Sequence, residues 1–211
     1  MQIMKALVFV SALVVSGSVL AEEAKTKTVE IKGHVIAIAD DGGVATVNSA
    51  VSPVYMVEGV AAADLIKRAQ ACVSKNVSFA AVNASGGTGN SFGLGSSGIT
   101  TAETLSASSL IELSDPETGV LIANSRANYF GNVVIAYVVQ NRMQIEAKEG
   151  RFRITSSDFQ KLQKSTGSIR NSGFGPVVAV WGTGWEKALE TSIGVSEKVA
   201  NCMTTAATET W

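Results

Sequence analysis

The clearest structural signal in the chain is residues 135–155, which read IAYVVQNRMQIEAKEGRFRIT. From residue 139 onward, mainly apolar residues alternate with polar or charged ones. The first set is Asn141, Met143, Ile145 and Ala147, and the second is Gln140, Arg142, Gln144 and Glu146. A period of two with one polar side predicts an antiparallel strand that is exposed on one face. Lys148-Glu-Gly150 then turns the chain into a second predicted strand at residues 151–154.

Two more pairs of β-rich runs surround turn sequences. Residues 35–38 and 44–47 flank Asp40-Asp-Gly-Gly43, and residues 110–113 and 120–123 flank Asp115-Pro-Glu-Thr-Gly119. Glycine supplies the positive φ of tight turns, and proline favours the start of a turn, so both segments predict hairpins. The Asp40 segment lacks the full ligand set of a calcium loop, and we interpret it as a turn. Single strands are predicted at residues 54–57 and 177–181.

Apolar residues at intervals of three and four predict two long helices. In residues 61–75 this stripe consists of Leu65, Ile66, Ala69, Cys72 and Val73, and in residues 185–203 it includes Leu189, Ile193, Val199 and Cys202. Such spacing places these side chains on one buried helix face. A short helix is also predicted through Leu162, because Ser156-Ser-Asp158 is suited to cap its start.

Residues 83–101 are dense in Gly, Ser, Thr and Asn. This composition cannot bury enough surface to offset the entropy of ordering, so a flexible loop is expected. The loop contains a G-x-G-x-x-G match at Gly93–Gly98. A dinucleotide site requires a strand before that motif and a helix after it, and neither is predicted here.

The first residues have the three regions of a secretory signal peptide: a positive start, an apolar run and a cleavage site. Lys5 supplies a positive charge, residues 6–15 form an apolar run, and Val19-Leu-Ala21 places small or β-branched residues before a cut between Ala21 and Glu22. The run is well short of the roughly 20 residues that span a bilayer. An uncleaved anchor and a buried core helix are the alternatives. We expect cleavage and a mature protein in the periplasm or secreted, of bacterial type.

Charge and hydropathy exclude two classes of partner. The net charge is −1 and no basic stretch occurs, whereas nucleic-acid binding needs clustered Lys and Arg to replace counterions. No second apolar run is long enough to form a transmembrane segment in the mature chain. We therefore expect a partner among envelope proteins or glycans, of unknown identity, and no nucleic acid.

Cys72 and Cys202 are the two cysteines of the chain, and both follow the predicted cut. Export to an oxidising compartment favours a disulfide between them. Two buried thiols that act as small hydrophobic groups are the alternative.

Three segments together resemble a known family. They are residues 54–69, the hairpin of residues 110–123, and the strand–turn–strand of residues 135–155 with its Lys-x-Gly-Arg-aromatic-Arg turn. They are similar to uncharacterised bacterial secreted domains with a TATA-box-binding-protein-like fold. The resemblance spans about residues 54–162 and implies the α+β class, with a curved antiparallel sheet and helices packed on one face. It implies no activity, and DNA binding does not follow from a fold name.

The predicted organisation is a signal peptide at residues 1–21, an N-terminal β-rich extension at 22–52, and one α+β domain at 53–211 with the flexible loop at 83–101. The chain has one histidine, His34, and a Ser-His-Asp system would have to use it. A structural strand histidine is the simpler interpretation. One His and two distant Cys do not make a usual zinc site. We expect no catalytic residues, no metal and no cofactor.

These observations favour a non-catalytic binding or accessory protein of the cell envelope. The alternative is an envelope hydrolase whose acid and base are carboxylates such as Asp40, Asp115 or Glu117, and a third possibility is a structural component that pairs through an edge strand at residues 133–147. Two surface features are candidates for ligand contact. One is a cationic patch of Arg142, Arg151 and Arg153, and the other is an aromatic platform of Tyr129, Trp181 and Trp185; for both, an ordinary surface or core role is the simpler interpretation.

Overall fold

The computed structural model describes residues 25–79, 82–87, 100–105, 109–131, 135–166 and 172–205. The helices are α1 (Ala62–Asn76) and α2 (Trp185–Thr205). The strands are β1 (Lys25–Ile31), β2 (His34–Asp41), β3 (Val44–Val51), β4 (Tyr55–Met56), β5 (Val82–Gly87), β6 (Thr100–Leu105), β7 (Ile111–Asp115), β8 (Val120–Phe130), β9 (Ala136–Lys148), β10 (Arg151–Gln163) and β11 (Gly175–Pro176). The predicted signal peptide, the cut between Ala21 and Glu22, and the Gly93–Gly98 motif lie outside the described residues.

Nine of the described strands form one antiparallel sheet. Its order is β1-β2-β3-β10-β9-β8-β7, and the short strands β4 and β11 both pair with β10. The three N-terminal strands therefore continue the sheet of the rest of the chain. β9 lies between β8 and β10, so the expectation that residues 133–147 offer an edge strand is wrong. The edges are β1 and β7.

The alternation in β9 is confirmed. Asn141, Met143, Ile145 and Ala147 are buried on one face, and the side chains between them are exposed or half-buried on the other face. Both helices pack on the buried face. The apolar stripe of α1, which includes Leu65, Ile66 and Ala69, is buried there. The predicted α+β class, an antiparallel sheet with helices on one face, is confirmed. The polar face of the sheet is called the open face below.

Two core clusters lie between the helices and the sheet. The first joins α1 and the C-terminal half of α2 to β8, β9 and β10, and it contains Leu121, Ile145 and Phe152. The second joins the N-terminal half of α2 to β2 and β3, and it contains Ile36 and Leu189. Because α2 contributes to both clusters, its 21 residues tie the two ends of the sheet together.

The predicted pairing of the cysteines is confirmed. Cys72 of α1 and Cys202 of α2 form a disulfide that spans 130 residues of sequence, with the Cα atoms 5.7 Å apart. The bond lies at the first core cluster, where Cys72 is buried and Cys202 is partly exposed. No helix of the described residues has both the length and the apolar character that crossing a bilayer requires.

The prediction of a short helix at residues 156–162 is wrong, because β10 continues through them. A β-bulge lies between Ser157 and Gln160, and Asp158 has a φ of 54°. Asp tolerates this left-handed conformation better than most residues, because its short side chain bonds locally. The bulge interrupts the alternation, and the Ser-Ser-Asp sequence that suits a helix cap equally suits this kink.

Two other segments differ from expectation. Residues 82–87 and 100–105, at the ends of the predicted flexible loop, pair as the antiparallel strands β5 and β6. The predicted strand at residues 177–181 is reduced to one isolated bridge between Thr46 and Val178, next to the two-residue β11. Strand pairing is possible with so polar a sequence because the inward-facing backbone groups of the two strands bond to each other, whatever the side chains are.

Candidate functional site

A cleft of about 600 Å³ lies beside the start of β9 and the end of β10. Tyr137, Lys161 and Gln163 line it from the two strands. The rest of the lining comes from the segment between β10 and α2, including Ser172 and Thr183. This volume lies within the usual range for small-molecule sites. We call it the Lys161 cleft.

The β-bulge of β10 decides which face Lys161 occupies. Before the bulge Ser157 pairs with Arg142 of the open face, and after it Gln160 pairs with Gln140 of the same face. One extra residue has therefore been inserted, and Lys161 pairs with Val139 on the helix-packed face. Without the insertion, the alternation of side chains would place Lys161 on the open face.

Lys161 is half-buried, and its ammonium group lies against the main chain of the connecting segment. Nζ donates a hydrogen bond to the carbonyl oxygen of Thr183 at 2.7 Å. Burial lowers the pKa of Lys161, because partial removal from water disfavours the charged form. Among the described residues, no carboxylate forms an ion pair with it. An ammonium group has three donors, so Lys161 retains capacity to bind an acceptor.

A tight turn at Val180–Thr183 presents Trp181 to solvent. The N–H of Thr183 donates to the carbonyl of Val180 at 3.2 Å, and Gly182 has a φ of 83°. A positive φ at the third position, occupied by glycine, is the signature of a type II turn. The Thr183 hydroxyl contacts the carbonyls of Val178 and Val180 at 2.8 and 2.7 Å, which fixes the turn further. Trp181 is 95% exposed, and the residue after it lines the Lys161 cleft.

The expected aromatic platform is therefore reduced to one residue. Tyr129 is buried in the second core cluster, and Trp185 packs against that cluster. The Tyr129 and Tyr137 rings stack with centroids 5.3 Å apart. Burial, with a smaller contribution from the nearby Tyr137, raises the pKa of Tyr129 to about 12. Tyr129 thus supports Tyr137, which does line the cleft.

An arginine clamp holds the connecting segment against the open face. The Arg126 guanidinium lies 4.1 Å from the ring centroid of Phe79 and 5.3 Å from that of Phe174. Its Nε donates to Gln140 at 2.9 Å, and Gln140 in turn donates to Gln160 at 2.8 Å. Burial lowers the pKa of Arg126. Because Phe174 lies between cleft residues, the clamp fixes part of the wall of the cleft.

The expected cationic patch is largely neutralised by ion pairs. Arg142 contacts Glu112 at 2.9 Å, and Arg153 contacts Glu146 at 2.6 Å. A second, smaller cleft of about 230 Å³ lies beside this part of the sheet, and Glu146, Arg151 and Arg153 are among its lining residues. Its volume is below the usual range for ligand sites, so the Lys161 cleft is the better candidate.

The structure does not bring Asp40 together with Asp115 and Glu117, the other carboxylates of the hydrolase alternative. Asp40 accepts from the N–H of Gly43 in the β2–β3 turn, and Asp115 accepts from the N–H groups of Glu117 and Thr118 in the β7–β8 turn. Hydrogen bonds from Thr118 lower the pKa of Asp115. β10 and β9 separate the two hairpins in the sheet, and neither turn lines either cleft.

His34 is a buried strand histidine at the start of β2. Its exposure is 3%, and Nδ1 lies 3.1 Å from the carbonyl oxygen of Lys32. His34 lines neither cleft. In the described part of the chain, no three His, Cys, Asp or Glu side chains cluster as a metal site requires.

Sequence reasoning missed Lys161 and the wall of the cleft. Lys161 fell within the predicted short helix, where a charged residue carries no special signal. Its position depends on the bulge and on a segment more than ten residues away in sequence, which no local pattern reports. Trp181 and the glycines beside it were the one signal of this site in the sequence.

No family model matches this chain, and no curated protein matches it. Two solved structures are similar to it. A DUF4468 family protein from Bacteroides ovatus ATCC 8483 is 9% identical, with a TM-score of 0.46, over 87% of this chain and 94% of that chain. A TBP-like protein from Parabacteroides distasonis ATCC 8503 is 12% identical, with a TM-score of 0.47, over 87% of this chain and 98% of that chain.

Proposed function

We propose that this chain is an exported, non-catalytic binding or accessory protein of the bacterial cell envelope, and that it binds its ligand at the Lys161 cleft. The observation that carries the proposal is an exposed indole, that of Trp181, directly before two residues that line this cleft, Gly182 and Thr183. Trp181 leaves a large apolar ring in water at the end of a fixed turn. Contact with a ligand would remove that ring from water, which is why tryptophan is enriched at binding surfaces.

Export is supported from two sides. The first residues have the features of a secretory signal peptide, with Lys5 before the apolar run and Ala21 at the expected cut. The Cys72–Cys202 disulfide is of the kind that forms and persists in oxidising compartments. A periplasmic or secreted location accounts for both features.

The non-catalytic part of the proposal rests on the residues around the cleft. General acid–base chemistry uses two groups that titrate near the working pH. Lys161 and Tyr137 are the titratable side chains that line the described cleft, and neither is a carboxylate or an imidazole. Polar side chains and close main chain are better suited to holding a ligand than to transferring its protons.

Retention of envelope material tests the proposal. We would immobilise the protein of residues 22–211 and pass a bacterial envelope extract over it, then repeat the experiment with Trp181→Ala. The matched control is Phe130→Ala, which removes another exposed aromatic side chain, 65% accessible, on the open face. Phe130 does not line the cleft.

We expect the parent protein and Phe130→Ala to retain the same glycan or protein, and Trp181→Ala to retain much less. Equal retention by all three proteins would place binding elsewhere, and no retention would end the binding proposal. Mass spectrometry of the released ligand checks the second half of the proposal. A ligand recovered with newly cleaved bonds would show that the protein is catalytic.

A further inference from the structure

We infer that the ligand of the Lys161 cleft is a sugar chain that bears a carboxylate, with Lys161 holding the acid and Trp181 stacking on a ring. This inference rests on the proposed function, since it names the ligand class of the same site. Neither the signal sequence nor the fold points to this ligand. It follows from the charge, the lining and the exposed indole of the cleft.

The charge of the cleft calls for an anion. Lys161 is the charged residue of the described lining, and its Nζ bonds to the main-chain carbonyl of Thr183 instead of a carboxylate. A half-buried ammonium without a counterion is unfavourable, and a bound anion would compensate it. One ammonium balances the single charge of a carboxylate. A phosphate group carries more charge and is usually held by several cationic or main-chain donors.

The lining suits hydroxyl groups. Gln163, Thr166, Ser172 and Thr183 are polar, and the glycines beside them let a ligand approach the main chain closely. Two of these side chains also bond within the protein, Thr183 to the carbonyls of Val178 and Val180 and Gln163 to the carbonyl of Ser165. Pro176 is the aliphatic side chain of the described lining, so an apolar peptide segment would meet few partners here. The hydroxyls on the rim of a sugar ring are better suited to such a polar lining.

Trp181 completes the match. A sugar ring has a face of C–H groups that packs flat on an aromatic ring, and an indole exposed to 95% offers such a plane. Trp181 belongs to the type II turn whose next two residues, Gly182 and Thr183, line the cleft. We therefore expect the acid and the ring contacts to fall on neighbouring units of one sugar chain.

Titration calorimetry with a matched pair of ligands tests the inference. The probes are oligogalacturonate and oligoglucuronate, each compared with its methyl ester, which keeps the sugar and removes the charge. We expect the acids to bind the protein of residues 22–211 about tenfold or more tightly than the esters, because a charge-assisted bond is lost. Lys161→Met keeps the aliphatic stem and is expected to abolish this difference, and Lys161→Arg to retain it.

Each result separates the two proposals. Equal binding of acids and esters, or a preference for the acids that survives in Lys161→Met, would overturn the carboxylate inference and leave the binding function standing. The carboxylate inference would also be overturned if neither acid binds while the protein still retains envelope material through Trp181. Retention of a peptide in that experiment would show that the ligand is a peptide instead of a sugar chain. The comparison of acid with ester needs no variant, so it decides the question even if Lys161→Met does not fold.

Discussion

Asn141 is the polar residue at the boundary between the two core clusters. It is 4% exposed, and its Oδ1 accepts a hydrogen bond from the Ser192 hydroxyl of α2 at 2.8 Å. Beside it, the hydroxyls of Ser156 and Ser196 lie 3.4 Å apart. We call these four residues the polar seam. A directional bond between α2 and β9 is satisfied in one register only, so the seam fixes how the helix lies on the sheet.

The seam is tested by removing one partner and then both. We expect Ser192→Ala to lower the free energy of unfolding by about 1–3 kcal/mol, because the buried Asn141 oxygen loses its donor. The double variant Asn141→Leu with Ser192→Ala is expected to be less unstable than the sum of the single variants, since no polar group then remains unpaired. Urea unfolding of the parent protein, Ser192→Ala, Asn141→Leu and the double variant measures these differences.

Ser74→Ala on the exposed side of α1 is the control for the seam variants, with an expected change within about 0.5 kcal/mol. Strict additivity of the two seam substitutions would show that Asn141 and Ser192 are not coupled. The Nδ2 atom of Asn141 is buried and has no hydrogen-bond partner among the described residues. Burial of this unpaired donor costs stability, so within the Asn141–Ser192 pair Asn141 is the residue with the larger desolvation cost.

Tyr129 gives the protein a dependence on alkaline pH. Its pKa is raised to about 12 in the folded protein by burial, with Tyr137 as the smaller cause, whereas an unfolded tyrosine ionises at about 10. Between these values the unfolded chain releases a proton that the folded protein keeps. Stability therefore falls as the pH rises from about 10 to about 12, and this residue has no such effect below about pH 10.

We expect Tyr129→Phe to lose less stability than the parent protein over that window. Urea midpoints at a series of pH values measure the effect, and near-ultraviolet absorbance follows phenolate formation in the folded protein. The difference between the two proteins at neutral pH serves as the baseline and should stay constant up to about pH 9. Parallel loss of stability in both proteins above pH 10 would contradict the assignment.

Among the elements, the two helices are joined by the Cys72–Cys202 bond. Because the bond closes a loop across 130 residues of sequence, it restricts the unfolded chain strongly. We expect reduction, or the double substitution Cys72→Ala with Cys202→Ala, to lower the free energy of unfolding by about 2–5 kcal/mol. Thermal and urea unfolding with and without reductant measure the loss.

The double cysteine variant is its own control, since reductant should not change its stability. Non-reducing mass spectrometry of the parent protein reports the bond directly. Identical unfolding curves for oxidised and reduced parent protein would show that the bond adds nothing. Such a result would mean that packing in the first core cluster already holds α1 and α2 together.

β10 is the element whose structure differs most clearly from the prediction made from its local sequence. The sequence around Ser156 and Asp158 matches a helix start, but β9 and β3 supply backbone partners on both sides of the segment. Burial of Ile154 and Phe159 against the helices then favours the strand. The bulge resolves the conflict, because it lets Phe159 reach the second core cluster and turns Lys161 towards the cleft.

At the scale of the whole molecule, strands β2 and β3 share a core cluster with α2. Ile36, Ile38, Val47 and Ala50 are buried with Leu189 and Ile193 of α2 in the second core cluster. We expect a protein that lacks residues 22–52 to lose its single cooperative unfolding transition, because that half of α2 would be left without a partner. Urea unfolding and binding of a hydrophobic dye measure this.

Ile36→Ala in the complete chain is the matched control for the truncation. It should keep one cooperative transition and lose about 2–5 kcal/mol of stability, as a large-to-small change in a packed core does. If the protein of residues 53–211 instead unfolds cooperatively near the stability of the parent, β1 to β3 form a separable extension after all. The sheet would then have two independent parts.

The sequence by itself determined the elements whose signal is local. The alternation along β9, the stripe of α1 and the glycines of the hairpin turns each follow from the period of one strand, one helix or one turn, and the cysteine count favoured the disulfide. Tertiary structure alone decided the order of the strands, the inclusion of β1 to β3 in the sheet, and the course of β10. It also created the Lys161 cleft. The physical reason is that register, bulges and cleft walls depend on partners far away in sequence, and the free energy of those contacts outweighs the preference of a short segment.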